Sequence, residues 1–407
     1  MSLPKIKRIM FPVSLVLFEL IVYVTNDMMQ PAMLEVVKYF HVSVDWIPTS
    51  LTAYLSGGMC LQWFFGPLSD KYGRRPIMFF GVCFFIFSCL LITFTNSIKQ
   101  FMFVRFMQGM GLCFIGTVGY TTIQETYEEK KCIKLIALMA NIALAAPLLG
   151  PLGGTIIIKM FPWQKMFVGF SLIACLALLG LFCFMPEPKK TQNNNISFLN
   201  LFKNYKFILK DLKFLCGALS IGFANVPLIS WIALSPIILV SKCKLTMISY
   251  AILQIPVFLG LILGNVTLGY LSKKKDLYNL IEFAGKPLVI GLILAVFSIF
   301  IKTYSSLWLT VSLGIYAFGL GIANPCLTRV TLFSSKFRKG SVSAVIGMIT
   351  IMILISNIEL AKTVFLWKNV IAFNILNMFN GFSWLFFIIN FFIKENKKIK
   401  LLKSIKL

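Results

Sequence analysis

Met10 to Leu34 read MFPVSLVLFELIVYVTNDMMQPAML, an apolar run that nevertheless carries two carboxylates, Glu19 and Asp27. The run is long enough to cross a hydrocarbon core about 30 Å thick. Lipid offers the backbone no water to bond to, so a spanning run of this kind must be helical. The basic start MSLPKIKR gives it the look of a signal peptide. It exceeds the usual apolar core of such a peptide, however, and shows no small-residue cleavage site, so it is expected to be a retained first span.

Working outward from this run, similar segments recur near 47–66, 76–95, 99–122, 134–158 and 164–185. A second set lies near 212–239, 247–271, 283–302, 306–332, 341–366 and 370–393. The pattern predicts an all-α membrane protein of about twelve transmembrane helices. Composition agrees: 58% of the residues are hydrophobic and 13% charged, whereas charged residues alone make up about a quarter of an ordinary soluble domain.

The formal charge of +25 does not indicate nucleic-acid binding, because the Lys and Arg lie in short segments between apolar runs rather than on one soluble module. Most fall on one side of the predicted topology, among them Lys71, Arg74, Arg75, Lys273, Lys274, Lys275, Arg338 and Lys339. The positive-inside rule therefore predicts cytoplasmic termini. Abundant Lys, Ile, Asn and Phe also point to a bias at the gene level that inflates the charge. The ten Cys are scattered singly, without metal-ligand spacing or a disulfide framework, and are expected to be small buried hydrophobes. No metal or other cofactor is implied. A membrane-embedded enzyme is disfavoured by the lack of a metal cluster, a nucleophile motif or a sizeable soluble domain.

Pro186 to Asp211, with Gln192-Asn193-Asn194-Asn195, is the long polar connection. It suggests a six-helix half over 1–188, a cytoplasmic linker over 189–211, a second six-helix half over 212–393 and a basic cytoplasmic tail over 394–407. Gly66-Pro67-Leu68-Ser69-Asp70-Lys71 ends the second span, and Gly269-Tyr270-Leu271-Ser272-Lys273-Lys274 ends the eighth. Two pseudo-symmetric six-helix halves are a known transporter arrangement, with the substrate site near the midplane.

Ionisable residues within spans are expensive and default to functional candidates. Glu19 and Asp27 are about 12 Å apart along the helix axis and roughly 80° apart around it, so both can border one cavity. Tyr23 and Asn26 lie between them on much the same side. Alternatively, Asp27 caps a bend before Pro31 and Glu19 belongs to a static ion pair. Arg105 keeps its charge and needs water, carbonyls or a carboxylate. It either tunes the proton affinity of the carboxylates or orders backbone carbonyls.

In the loop from Gly66 to Pro76, Asp70 is placed to meet a helix N-terminus, where an anion is favoured. Arg74 is placed to pair with Glu125 or Glu128, as a latch that one conformation makes and another breaks. Pro147, Gly150, Pro151, Gly153 and Gly154 imply a kink and close packing in the fifth span. Arg329 is expected in an inner-surface network and Glu359 near an interface. His41, the only histidine, is expected to be a solvated loop residue.

Together these strings resemble the major facilitator superfamily, and within it the twelve-helix drug:proton antiporters. Gly66 to Pro76 is similar to motif A, Arg105 to Gly111 to motif B, and Pro147 to Gly154 to motif C, the one associated with antiporters. The resemblance runs from about Phe11 to Asn390, and Glu19 through Pro31, Asp45 to Ser50 and Asn141 to Pro151 bring it closest to multidrug members. It implies that Glu19 and Asp27 take part in proton and cationic-drug recognition, that Arg105 is essential, and that Asp70 and Arg74 belong to the latch. It also implies a drug cavity lined by Tyr23, Asn26, Met139, Ala143, Leu228 and Ile229. The expected function is export of lipophilic cationic and neutral drugs in exchange for protons by a monomer in the bacterial inner membrane. An exporter or facilitator of a hydrophilic metabolite is the alternative.

Overall fold

A computed structural model of the chain describes residues 5–187, 205–298, 300–301, 305–335, 337 and 339–404. Among these residues the secondary structure is helical, without strands. Among the described residues ten helices are long and apolar enough to cross a membrane. Two compact units are present: Met1–Ile196 with Val240–Ile252, and Ser197–Leu239 with Leu253–Leu407. The stretch 188–204, most of the expected linker, lies outside the described residues, as do Arg338 and the last three residues of the basic tail.

In the first unit the opening run is not one straight helix. Lys5–Asp27 is followed by a turn at Met28 and then by Met29–Tyr39. The cause is local. A proline ring collides with the carbonyl four residues earlier, so Pro31 breaks the helix at Asp27, while its missing N–H costs nothing in the first turn of the new helix. The expected second span is likewise divided at Leu61, into Trp46–Cys60 and Gln62–Tyr72. The Trp63 indole takes the Cys60 carbonyl at the break, at 2.9 Å.

The third span is Arg74–Phe94 and the fourth Ile98–Thr126. The fourth contains a π-helical turn, Ile115–Gly119. The fifth helix, Glu129–Met160, stays continuous through Pro147 and Pro151. The sixth is Trp163–Phe184.

Leu212–Ser235 runs into a π-helical segment, Pro236–Lys242, and the second unit takes this stretch up to Leu239 and resumes at Leu253. Met247–Leu271, Leu277–Phe297 and Ser305–Ser334 follow. The ninth helix thus begins before its expected start at 283. Exposed Glu282 and Lys286 sit on it, and their charges masked its first turns. Lys339–Ser404 is helical throughout and carries two spans, Ser341–Trp367 and Val370–Lys394. It must double back between them. Gly222 faces Ile353, while the neighbouring Phe223 stacks on Phe387 at 5.6 Å, and a straight helix would set those two partners roughly 50 Å apart.

Glycines set how closely the helices cross, and they do so in the same way in both units. In the first, Gly57 rests on the Phe106 carbonyl and Gly109 on that of Tyr54. In the second, Gly260 rests on the Gly314 carbonyl, Gly314 on that of Pro256, and Gly264 on that of Phe318. These are the second and fourth helices of one unit and the eighth and tenth of the other, the pairing that an internal repeat requires. Small residues at such crossings are how membrane helices gain contact without a hydrophobic driving force.

Valine at Gly109 or Gly314 would drive a side chain into backbone. Each variant is expected to lose about 1–3 kcal/mol, whereas Gly169→Ala, where nothing lies within 4 Å, should be neutral or slightly stabilising. Thermal unfolding of the detergent-solubilised protein would register the contrast.

Candidate functional site

Glu19 and Arg105 are both fully enclosed, and Asp27 is only 6% exposed. Glu19 is met by the fourth span directly, and Asp27 is linked to it through Asn26. The Tyr120 hydroxyl donates to Glu19 Oε1 at 3.0 Å, while Glu19 Oε2 is buried without a partner. A carboxylate in that condition needs a proton, water or a ligand. Tyr120 directly follows the π-turn Ile115–Gly119, a distortion that redirects the residues beyond it and recurs at functional sites.

Asp27 stands at the helix break. The Asn26 amide donates to Asp27 Oδ1 at 3.1 Å and accepts from Arg105 at 3.2 Å. Arg105 therefore addresses Asp27 through an intervening amide. Its other donors go to Ser50 at 3.2 Å and Gln108 at 3.0 Å. Its guanidinium lies over the Tyr54 ring, 4.7 Å from the centroid, a favourable cation–π placement. Tyr54 in turn donates to the Val22 carbonyl at 2.7 Å. Among the described residues its hydrogen bonds thus go to side chains of the first, second and fourth spans.

The fifth helix closes on the same place. Gly150 abuts the Asp27 Cβ and Gly154 the Met28 carbonyl, so its small residues seat it against the break in the first helix. Pro151 is buried, and Pro147 and Gly153 are half-buried.

Of the residues proposed to line a cavity, Tyr23 and Asn26 are half-buried and Met139 is fully buried. The side chain of Ala143 lies outside the described residues. Leu228 is buried and Ile229 half-buried within the second unit. That unit is also more polar inside than its sequence suggested. Asn225 donates to Asn324 at 3.2 Å, Trp231 to Gln254 at 2.9 Å, and Ser220, Ser230 and the Gln254 amide nitrogen are buried without partners.

At the basic loop, Gly73 takes φ +104°, a backbone conformation that glycine tolerates and other residues resist. Arg74 forms ion pairs with Asp70 and Glu125, the latter at 2.7 Å, and also contacts Ser69. The anion found on the N-terminus of the third helix is Glu187. It accepts from the backbone N–H groups of Arg74 and Arg75 at 2.8 and 3.1 Å. Only its place beside the expected linker could have drawn attention to it. Arg329 is exposed in the second unit, its guanidinium 5.9 Å from the Phe333 ring centroid. Glu359 pairs with Lys362, and His41 is an exposed turn residue.

Replacing Glu187 by Ala should lower stability by about 1 kcal/mol, the scale of a lost charge at a helix N-terminus. An unchanged melting temperature would place the effective cap elsewhere.

Residues 15–358 match the profile of the Major Facilitator Superfamily. The chain is 51% identical to the multidrug transporter MdfA of Yersinia pestis bv. Antiqua over 379 residues, 93% of each chain. It is 49% identical to the protein of that name from Edwardsiella ictaluri, over 93% of this chain and 92% of the relative. Its backbone resembles the crystal structure of a D-xylose-proton symporter with TM-score 0.75, covering 92% of this chain and 96% of the other. At 13% identity that likeness speaks to fold alone.

Proposed function

The chain belongs to the Major Facilitator Superfamily, and from that membership we propose that it is a secondary active exporter. It moves lipophilic cationic and neutral compounds out of the cell in exchange for protons, by alternating access. The observation that carries this is the pair of buried carboxylates on one broken helix, Glu19 with an unpartnered oxygen and Asp27 tied through Asn26 to Arg105. The relatives named multidrug transporters, at about half identity over nearly the full length, support the substrate class. The Pro/Gly run of the fifth helix supports exchange over symport.

In this reading one carboxylate loses its proton when a compound binds from the inside, and external protons reload it and favour release. Each net charge moved along the potential contributes about 2.3 kcal/mol per 100 mV, enough for appreciable uphill transport. Asp70, Arg74 and Glu125 form the latch, with Arg329 as a further member on the inner surface. The halves are 1–188 and 212–393, joined by the linker 189–211, with both termini in the cytoplasm. The protein works as a monomer in the bacterial inner membrane. The half-buried Asn225 and buried Gln254 of the second unit favour the hydrophilic-metabolite alternative enough that it belongs in the same assay.

Proteoliposomes under an imposed proton gradient are expected to move lipophilic cationic dyes and not sugars. The combined Glu19→Gln and Asp27→Asn change should abolish that movement, and Arg105→Ala should do so in a protein that still inserts. Gradient-independent dye movement, unchanged drug binding by the double variant, or wild-type transport by Arg105→Ala would sink the mechanism.

A further inference from the structure

The second unit carries an uncharged polar cluster that shares no residue with the charged network of the first. Asn225 of Leu212–Ser235, Asn265 of Met247–Leu271 and Asn324 of Ser305–Ser334 lie well inside three spanning helices, none of which contains an Asp or Glu. Asn225 Nδ2 donates to the Ile221 carbonyl at 2.8 Å and to Asn324 Oδ1 at 3.2 Å. Asn265 Nδ2 donates to the Leu261 carbonyl at 2.9 Å. A Cβ on Gly321 would stand 3.1 Å from that same nitrogen. The glycine therefore lets Asn265 lie against the tenth helix, one turn before Asn324.

These bonds engage the amide nitrogens of Asn225 and Asn265 and the amide oxygen of Asn324. Asn225 Oδ1, Asn265 Oδ1 and Asn324 Nδ2 are left over, without a hydrogen-bond partner among the described residues. All three side chains are half-buried, and none of these atoms is enclosed in the manner of the Gln254 nitrogen, so a small molecule can reach them. Polar side chains inside spans face either the bundle interior or a water-filled cavity, and groups both open and accessible belong to the second case. Pro227 and Pro325 follow the paired amides closely. Neither has an N–H to offer the carbonyl four residues earlier, at Phe223 and Gly321, which adds to the acceptors of this region.

We infer that Asn225, Asn265 and Asn324 form a substrate subsite for compounds that carry N–H or O–H donors. The two oxygens accept from an amine, amide or hydroxyl of the compound, and Asn324 Nδ2 donates to a carbonyl or hydroxyl oxygen. The inference rests on the exporter reading and gives the second unit a means of selecting lipophilic compounds by hydrogen bonding, whatever their charge. A compound without donors leaves the amides unpaired and gains nothing there.

Equilibrium dialysis of the full-length protein in detergent reads affinity without a gradient, so it stands apart from the transport assay that tests the exporter reading. The probes are ethidium, a lipophilic cation with two aromatic amines, and tetraphenylphosphonium, a lipophilic cation with no donor. Asn225→Leu with Asn265→Leu, which nearly keeps side-chain shape, should raise the ethidium Kd about tenfold and leave that of tetraphenylphosphonium within about twofold, as loss of one to two net hydrogen bonds implies. Asn265→Leu alone breaks no side-chain link between helices and should show part of the loss in an intact fold. Asn390→Leu, at another half-buried asparagine bonded to its own helix through the Phe386 carbonyl, should change neither affinity. Equal weakening of both cations, unchanged ethidium binding by the double variant, no ethidium binding by the wild type, or a matching loss in Asn390→Leu overturns the subsite.

Discussion

A guanidinium enclosed inside a membrane-spanning unit obliges its surroundings to supply acceptors, and Arg105 organises the first unit on that basis. Ser50 from the second span, Asn26 from the first and Gln108 from its own helix take its donors, and the Tyr54 ring covers its face. The last contact depends on backbone rather than on charge. Gly109, one turn beyond Arg105, lets its helix settle onto the Tyr54 carbonyl, which brings the tyrosine ring over the cation. Electrostatics and helix packing here are one arrangement, and the crossing and the ion network stand or fall together.

The two carboxylates of the first helix live in different circumstances because of a single proline. Pro31 ends the helix at Asp27 and so places that carboxylate where Gly150 of the fifth helix can approach it. Glu19, two turns earlier, remains in unbroken helix, with the Tyr120 hydroxyl on one oxygen and nothing on the other. Asp27 is tied through Asn26 into the arginine network, whereas Glu19 keeps one oxygen without a partner among the described residues.

Much of this was legible in the sequence, for physical reasons that differ from element to element. Hydrophobic runs announce membrane helices because the backbone has no other solution in lipid, and Glu19, Asp27 and Arg105 announce themselves because charge there is costly. Opposite charge narrows the partner of Arg74 to Glu125 or Glu128, and the structure shows the pair with Glu125. What stayed hidden depends on long-range placement or on backbone detail. Tyr120 is an unremarkable tyrosine until a π-turn aims it at Glu19. Asn26 reads as a neighbour of Asp27, not as a bridge to a residue on another helix. Glu187 sits beside a run of polar residues that advertises only a connection, and the paired amides of the second unit were outweighed by the apolar residues around them. The division of the second span at Leu61 has no Pro or Gly at that position to signal it.

The glycine crossings also constrain how this gene can drift. The chain is rich in Lys, Ile, Asn and Phe, residues whose codons favour adenine and thymine, whereas glycine codons begin with two guanines. Every single-base change that alters a glycine to another amino acid adds at least one heavy atom. At Gly57, Gly109, Gly260 and Gly314 that atom would meet a carbonyl of the facing helix. Base-composition pressure can therefore remodel lipid-facing surfaces freely while these four positions resist it. They are fixed points around which the rest of the sequence can change.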